Sequence, residues 1–288
     1  MLRGLYTAAS GMISQQRRHD TITNNIANIE TPGYKQKNTA LRSFNEMLLQ
    51  YTEVDTNNTK KIGTWTGAVL AEEALTYFQQ GNINQTFRSG DFAIVSNIGV
   101  DGAVFDESGQ YKAENGEVIF QPQAYFTVVN NAGEVLYTRG GQFTVNSQGE
   151  LLTGSGERVL GANNQPIVLP AGVSMDDIVL GSDARLLNAM DGTDTGLQLL
   201  ISRVDNPNQL VRVGDGSFKL PEGVTAVPVA AEDSVQVMQG FVEQSNVDMM
   251  QASVDLMAAQ RAYEINSQIV KYYDQTLQKA VNEIGRIN

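Results

Sequence analysis

The chain has 288 residues, no cysteine and a formal net charge of −12. This length can bury the core of one large domain or two smaller ones, and the lack of cysteine excludes disulfides, zinc–thiolate sites and thiol catalysis. The charge is uneven, since residues 43–244 hold ten Lys/Arg against 25 Asp/Glu, whereas residues 1–42 hold six against two. An acidic centre repels nucleic acid and anionic membranes, so we expect neither as a partner. Because no run approaches about 18 apolar residues, we expect no direct membrane insertion.

Residues 1–30 carry apolar side chains at three- and four-residue steps, which predicts an amphipathic helix. Thr31-Pro32-Gly33 should end this helix, because proline disfavours helix in the residue before it and glycine frees the turn. The predicted packing stripe comprises Leu2, Leu5, Ala9, Met12, Ile22 and Ile26.

The middle of the chain changes to a period of two, which is typical of β-strands. Residues 75–230 predict an antiparallel β domain, either a sandwich or an open barrel. Residues 31–74 and 231–244 have weaker patterning and are expected to be extended connectors. Turn residues predict three hairpins, which join 124–129 to 134–138, 142–145 to 150–153, and 197–204 to 209–213.

Residues 245–288 predict one long amphipathic helix, with Ser245 and Asp248 as an acidic variant of a capping box. A helix of about 40 residues is roughly 60 Å long, more than a compact domain needs unless a long partner lies beside it. We therefore predict an α+β fold in which the two terminal helices pair as a coiled-coil-like core that self-assembles. The packing residues predicted on this helix are Val254, Met257, Ile265, Ile269 and Ile284.

The sequence holds no convincing catalytic constellation. His19 is the sole histidine, and its position in a predicted helix beside Arg18 and Asp20 favours a solvated side chain. Asp194-Thr-Gly196 matches the aspartic-protease triplet, but it occurs once and in a turn. Gly154-Ser-Gly156 lacks the third glycine of a dinucleotide loop. We predict no catalytic residue, no metal, no cofactor and no small-molecule substrate.

The most distinctive segment is Asn24-Asn-Ile-Ala-Asn-Ile-Glu-Thr-Pro-Gly-Tyr-Lys35. It resembles the N-terminal motif of the axial proteins of the bacterial flagellum, the basal-body rod and hook family, which runs close to N-N-x-A-N-x-x-T-P-G-Y-K/R. The C-terminal segments Gln239–Asp248 and Gln260-Arg-Ala-Tyr-Glu-Ile-Asn266 resemble the other end of that family. The segment from Tyr137-Thr-Arg-Gly-Gly-Gln-Phe143 to Gly161 is similar to the distal-rod type in particular, whereas residues 81–123 depart from the family pattern.

The resemblance implies a structural subunit without enzymatic activity, which stacks helically into the hollow rod between motor and hook. In such a rod the terminal helices, residues 1–30 and 245–288, line the inner tube, and residues 75–230 face outward. The implied partners are further copies, other rod or hook proteins and the flagellar type III export apparatus. The implied location is the basal body in the cell envelope or outside the cell, reached without a cleaved signal peptide. A proximal rod or hook-like component is the alternative within the family, and a surface adhesin with a coiled-coil stalk is the alternative outside it.

We expect the matched motifs to form the assembly site. The asparagines would bridge subunits or bond locally, and Thr31, Pro32 and Gly33 would set the chain direction. Tyr34 and Lys35 would pack across an interface, unless Tyr34 covers its own connector. The predicted assembly residues are Asn24, Asn25, Ala27, Asn28, Thr31, Pro32, Gly33, Tyr34, Lys35, Ser245, Asn246, Val247, Asp248, Gln260, Arg261, Ala262, Tyr263 and Glu264.

Overall fold

The fold is that of a computed structural model, which describes residues 2–43, 47–52, 59–65, 69–72, 74–100, 102, 104–106, 109–113, 118–170, 172–214, 216–230 and 233–284. Its Cα positions divide the chain into two compact units. The helical unit comprises residues 1–27, 37–75 and 248–288, and the β unit comprises residues 28–36 and 76–247. The side chains of Leu2 and Ile284, two predicted packing residues, lie outside the described part of the structure.

The helical unit contains both predicted helices, which confirms the α+β class. They are α1 (Leu2–Ala27) and α2 (Met249–Ile284). Helix α2 begins at Met249 because the Asp248 carboxylate accepts the N–H groups of Met250 and Gln251 at 2.8 and 3.1 Å, as an N-cap does. The predicted cap at Ser245 is wrong. Its hydroxyl instead accepts the N–H of Val247 at 3.3 Å.

Helices α1 and α2 pack as an antiparallel pair. A Cβ atom on Gly4 would clash with the hydroxyl of Tyr273, and one on Gly11 would lie 3.0 Å from the amide nitrogen of Asn266. Arg18 pairs with Asp255 at 3.1 Å. These three α1 positions are seven residues apart, which is the heptad spacing of a coiled-coil seam. The two glycines let the helices approach closely, and this finding confirms the coiled-coil-like pairing.

The segment expected to be a connector contains strands that belong to the helical unit. Strand β5 lies along α1, because the Ser14 hydroxyl donates to the carbonyl of Val69 at 3.0 Å and the Ser10 hydroxyl accepts its N–H at 3.3 Å. Strand β2 pairs with β5 and β3 pairs with β4, both antiparallel. The strands are β1 (Lys37–Asn38), β2 (Leu41–Ser43), β3 (Met47–Thr52), β4 (Thr59–Trp65) and β5 (Val69–Ala71).

The β unit is built from short antiparallel strands, after β6 (Leu75–Thr76) leads the chain into it. They are β7 (Ile83–Gln85), β8 (Phe92–Ser96), β9 (Gln110–Lys112), β10 (Val118–Phe120), β11 (Gln123–Val129), β12 (Val135–Thr138), β13 (Phe143–Val145), β14 (Leu151–Thr153), β15 (Arg158–Val159), β16 (Ile178–Leu180), β17 (Arg185–Asn188), β18 (Asp194–Gln198), β19 (Ile201–Val204), β20 (Val211–Gly214), β21 (Ser217–Lys219), β22 (Val227–Pro228), β23 (Val235–Gln239) and β24 (Phe241–Glu243).

The main sheet has nine strands and is open, not closed into a barrel. Its path is β13-β14-β15-β11-β12-β21-β20, with β19 paired to both β11 and β22. Two smaller sheets of the β unit have two strands each, β8 with β23 and β7 with β24. The core under the main sheet is centred on aromatic rings, with Phe126 against Phe143 at 5.1 Å between centroids in an edge-on contact and Phe92 against Phe143 at 5.6 Å.

Two of the three predicted hairpins are confirmed, namely β11–β12 and β13–β14. The third is wrong, because β19 pairs with β11 and β20 pairs with β21. Pro207 and the Asn206 cap form a 3-10 turn that separates β19 from β20. Gly214 and Gly216, both with positive φ, then fold β20 onto β21 instead.

Neither long helix, over the residues that the structure describes, has an apolar stretch sufficient to cross a membrane.

Candidate assembly site

The N-terminal motif is divided between the two units. Its helical part holds Asn25, which is 2 % exposed. The Asn25 amide accepts the N–H of Lys37 at 3.0 Å and donates to the carbonyl of Lys37 at 2.7 Å. This pair of hydrogen bonds fastens the returning chain to the end of α1. Asn24 and Ala27 lie exposed on the same turn.

Residues 28–33 of the motif form a turn in the β unit. The Thr31 N–H donates to the carbonyl of Asn28 at 3.1 Å, and its hydroxyl donates to the Asn28 side-chain oxygen at 3.3 Å. Pro32 is half-buried, and Gly33 has φ +70° with its N–H donated to the carbonyl of Glu243 at 2.8 Å. A Cβ atom on Gly33 would lie 2.6 Å from the carbonyl carbon of Arg139. Glycine is therefore needed for both the conformation and the space.

Gly33→Ala should destabilise the β unit by about 1–3 kcal/mol, because alanine must adopt a positive φ against the Arg139 backbone. Urea unfolding, followed by hydrogen exchange of the β11 amides, measures this loss. Gly154→Ala is the matched control, since a Cβ atom there meets nothing within 4 Å and its φ is not positive. Equal stability of the two variants would contradict a tight turn at Gly33.

Tyr34 is fully buried. The Arg212 guanidinium stacks over its ring at 4.2 Å from the centroid, a cation–π contact. Burial raises the pKa of the Tyr34 hydroxyl, although Arg212 opposes this shift. Tyr34 thus covers its own chain here, the second of the two expected roles.

Asn246 joins the C-terminal motif to the N-terminal one. Its side-chain oxygen accepts the N–H of Gln36 at 2.7 Å, and its amide nitrogen donates to the carbonyls of Tyr77 and Gln79 at 3.0 and 3.1 Å. Its backbone N–H donates to the carbonyl of Tyr34 at 3.4 Å. One side chain therefore holds two strand-like segments in register.

Three charged side chains, each at most 1 % exposed, meet beside this junction. Lys35 Nζ lies 2.6 Å from Glu243 Oε1 and donates to the carbonyl of Gln79 at 2.8 Å. Arg139 Nε lies 2.9 Å from Glu243 Oε2, in an orientation that does not complete a hydrogen bond, so this attraction is ionic. The Gly81 N–H donates to Glu243 Oε1 at 3.0 Å. Glu243 is thus the shared counter-ion of two buried cations.

The electrostatics of this site favour the charged forms of Lys35 and Glu243 at neutral pH. Burial lowers the pKa of the Lys35 ammonium to about 8, although the Glu243 carboxylate favours its charged form. Burial also raises the pKa of Glu243, but Arg139 and Lys35 outweigh that effect and hold it below its usual value. Two cations and one anion therefore share a site with almost no solvent, and each depends on the others.

We call this arrangement the motif clamp. Its residues are Gly33, Tyr34, Lys35, Arg139, Arg212, Glu243 and Asn246. Three of these residues, Arg139, Arg212 and Glu243, are not among those predicted from the sequence. A signal was present for Glu243, which is the single acid at the end of the apolar strand β24, and Arg139 lies within the segment that resembles the distal-rod type. No such signal marks Arg212.

The second C-terminal motif lies on α2 and is mostly exposed. Gln260, Arg261, Tyr263 and Glu264 are exposed, and Ala262 is half-buried. On α1, Ile22 is buried and Leu5, Ala9, Met12 and Ile26 are half-buried.

Helix α2 carries two stripes. The one that meets α1 includes Asp255, Asn266 and Tyr273, and Ala252 and Ala259 on the same helix are buried. The apolar residues predicted to pack form the other stripe, which is exposed in the single chain. This outer stripe comprises Met250 (78 % exposed), Val254 (55 %), Met257 (52 %), Ile265 (57 %), Ile269 (38 %) and Tyr272 (64 %).

A heptad-spaced helix pair with an exposed apolar stripe, joined to an open β unit, is the architecture of an assembling structural protein. Comparison with known proteins identifies the family. Family models match at residues 5–35 (flagella basal body rod protein), 120–186 (flagellar hook protein FlgE/F/G D1 domain) and 238–283 (flagellar basal body rod FlgEFG protein C-terminal).

Full-length relatives agree with these matches. The chain is 31 % identical to the flagellar hook-basal body complex protein FlhO of Bacillus subtilis, over 100 % of both chains. It is 31 % identical to the flagellar basal-body rod protein FlgG of Agrobacterium fabrum, over 95 % of this chain and 96 % of that one, and 29 % identical to FlgG of Borreliella burgdorferi over 98 % of each. The chain belongs to the flagellar basal-body rod and hook protein family.

Proposed function

We propose that this chain is a structural subunit of the flagellar basal-body rod, of distal-rod-like type, which assembles helically through its two terminal helices. The observation that carries the proposal is the outer stripe of α2. Six apolar side chains lie exposed along one side of a helix, and another side of that helix already has a partner in α1. Exposed apolar surface of this kind marks an interaction site.

The size of the stripe is compatible with association. Burying one apolar side chain completely stabilises a complex by about 1.5–3 kcal/mol, so a side chain that is half exposed contributes about half as much. Six such residues match the lower part of the cost of association, which is about 4–15 kcal/mol. The stripe therefore supports repeated contacts between copies. A second surface would add further binding free energy.

The motif clamp supports a mechanical role for the chain. Helix α1 ends at Ala27, six residues before Gly33, and α2 begins at Met249, three residues after Asn246. These short segments are two of the covalent connections through which load along the helices would pass to the β unit. Buried ion pairs and hydrogen bonds at their ends suit a subunit of a rotating shaft, because the two segments cannot slip independently.

The proposal includes the partners and location that follow from such a role. The chain would contact further copies and other rod and hook proteins, and it would be exported by the flagellar type III apparatus without a cleaved signal peptide. It would act without catalysis, cofactor or metal. The names of the relatives, FlgG rod proteins and FlhO of the hook-basal body complex, support a place in the axial structure.

Electron microscopy of flagellar structures from a strain that lacks this gene tests the proposal. We expect rods that stop short, without hook or filament, and restoration by the intact gene. Intact hooks and filaments in the deletion strain would overturn the rod assignment and favour an accessory or adhesive role.

A further inference from the structure

Phe87 has an unusual backbone and an unusual exposure. It lies between β7 and β8 with φ +58°, and its side chain is 83 % exposed. A bulky residue with positive φ is a steric outlier, and such strain concentrates at binding sites. Arg88, the next residue, is also exposed. Nothing in the fold of the β unit requires a large apolar side chain in solvent at this position.

The backbone around Phe87 is held firmly. The N–H groups of Thr86 and Phe87 both donate to the carbonyl of Gly240, at 2.8 and 3.2 Å. The N–H of Gly240 in turn donates to the carbonyl of Asp91 at 2.7 Å. Phe87 is therefore displayed on a preorganised turn, which lowers the entropy cost of a contact through its ring.

The same unit has a cavity at the other end of the β8–β23 ladder. In this ladder Phe92 pairs with Gln239, next to Gly240 and Phe87, and Ser96 pairs with Val235 four residues further on. Ser96 and Asn97 line a cavity of about 320 Å³. Four steps along a strand span about 13 Å. The exposed ring and the cavity are thus two separate surfaces.

The lining of the cavity suits an aromatic side chain followed by a hydrogen-bond donor. Phe78, Phe120 and Pro207 supply apolar surface, and Gln110, Gln121 and Gln123 supply amides. Gln123 is 5 % exposed, and its side-chain oxygen has no hydrogen-bond partner among the described residues. A buried acceptor of this kind is costly until a donor reaches it. The volume lies at the lower end for binding pockets, which favours a single side chain over a longer segment.

We propose that Phe87 of one copy inserts into this cavity of the next copy, with Arg88 supplying a donor to the amide-lined wall. The inference rests on the proposed rod function and adds a second contact, between β units. Ring and cavity are different patches on one molecule, so the contact is heterologous. A heterologous contact that does not close into a ring generates an open helical array, which is the symmetry that a rod requires.

Cysteine crosslinking tests the contact directly, because the native chain contains no cysteine. A full-length chain with Gln85→Cys and Gln110→Cys keeps the Phe87 ring, because Gln85 is an exposed residue two positions before it. This chain is expressed in the deletion strain, and its assembled rods are treated with a flexible bis-maleimide. We expect a ladder of crosslinked multimers, in which each step joins position 85 of one copy to position 110 of the next. The control chain carries Gln85→Cys with Val211→Cys, another exposed position, which should give at least tenfold less multimer.

A second variant separates the contact from folding. Phe87→Gly removes the ring and relieves the positive φ, so its melting temperature should equal or exceed that of the wild type. Its content in released rods should nevertheless fall about tenfold or more, as expected when an interface anchor is removed. Normal incorporation of Phe87→Gly, or rods that assemble without a crosslinked ladder, would overturn this inference and leave the rod function intact. Absence of even the wild-type chain from flagellar structures would overturn both.

Discussion

Glu243→Gln is expected to destabilise the β unit by about 3–5 kcal/mol. The substitution preserves size but leaves Lys35 and Arg139 as two buried cations without a counter-ion. Removing one partner from a buried ion pair has this large effect because the remaining charge stays desolvated. Urea unfolding of the full chain, with hydrogen exchange of the β11 amides as the readout, measures the loss.

A double-mutant cycle sharpens this test. Lys35→Met combined with Glu243→Gln should destabilise the protein less than the sum of the two single variants, with a coupling of about 0.5–3 kcal/mol. Glu134→Gln is the control, because it disrupts an exposed ion pair with Lys219 and should leave stability nearly unchanged. Additive effects of the two clamp variants would show that Lys35 and Glu243 do not depend on each other.

Ile265→Asp is expected to leave the isolated chain folded and to abolish its incorporation into the rod. Ile265 is 57 % exposed on the outer stripe of α2, so a carboxylate there remains solvated in the single chain. In an assembled tube wall the same carboxylate would be buried without a partner in every copy, at several kcal/mol each. Circular dichroism of the purified chain and immunoblots of released rods measure the two parts of this result, and swimming assays give the phenotype.

Gln278→Asp provides the matched control for the stripe. Gln278 is exposed on α2 thirteen residues after Ile265, about 220° around the helix axis, which places it outside the outer stripe. This variant should be incorporated and should support motility. Ala262→Asp is expected to impair both the folding of the purified chain and its incorporation into rods, because Ala262 is already half-buried in the single chain. Motility that survives Ile265→Asp would contradict assembly through the outer stripe.

The sequence predicted those features that depend on neighbouring residues. The two terminal helices follow from their 3.6-residue period, and the hairpins β11–β12 and β13–β14 follow from strand alternation around short turns. The N-terminal family motif also includes Gly33, Tyr34 and Lys35, all of which belong to the motif clamp.

The features that the sequence did not predict depend on distant contacts. The pairing of β19 with β11 joins residues far apart in the chain, and no local pattern distinguishes it from a hairpin with β20. Helix α2 has apolar or small residues on two sides, and periodicity alone does not tell which stripe meets α1. The buried role of Lys35 required Glu243 and Arg139, and a lysine in a sequence is ordinarily expected in solvent.

The span of the Lys35–Glu243 ion pair has a consequence for the order of folding. The two residues are 208 positions apart, so the pair closes a loop that comprises most of the chain. Closure of such a long loop carries a large entropy cost, and contacts of this range slow folding. When the chain is synthesised or exported with its N-terminus first, the motif clamp cannot form until Glu243 has also appeared. The β unit can therefore complete its fold only when nearly the whole polypeptide is present, and a chain truncated before Glu243 would lack a complete β unit.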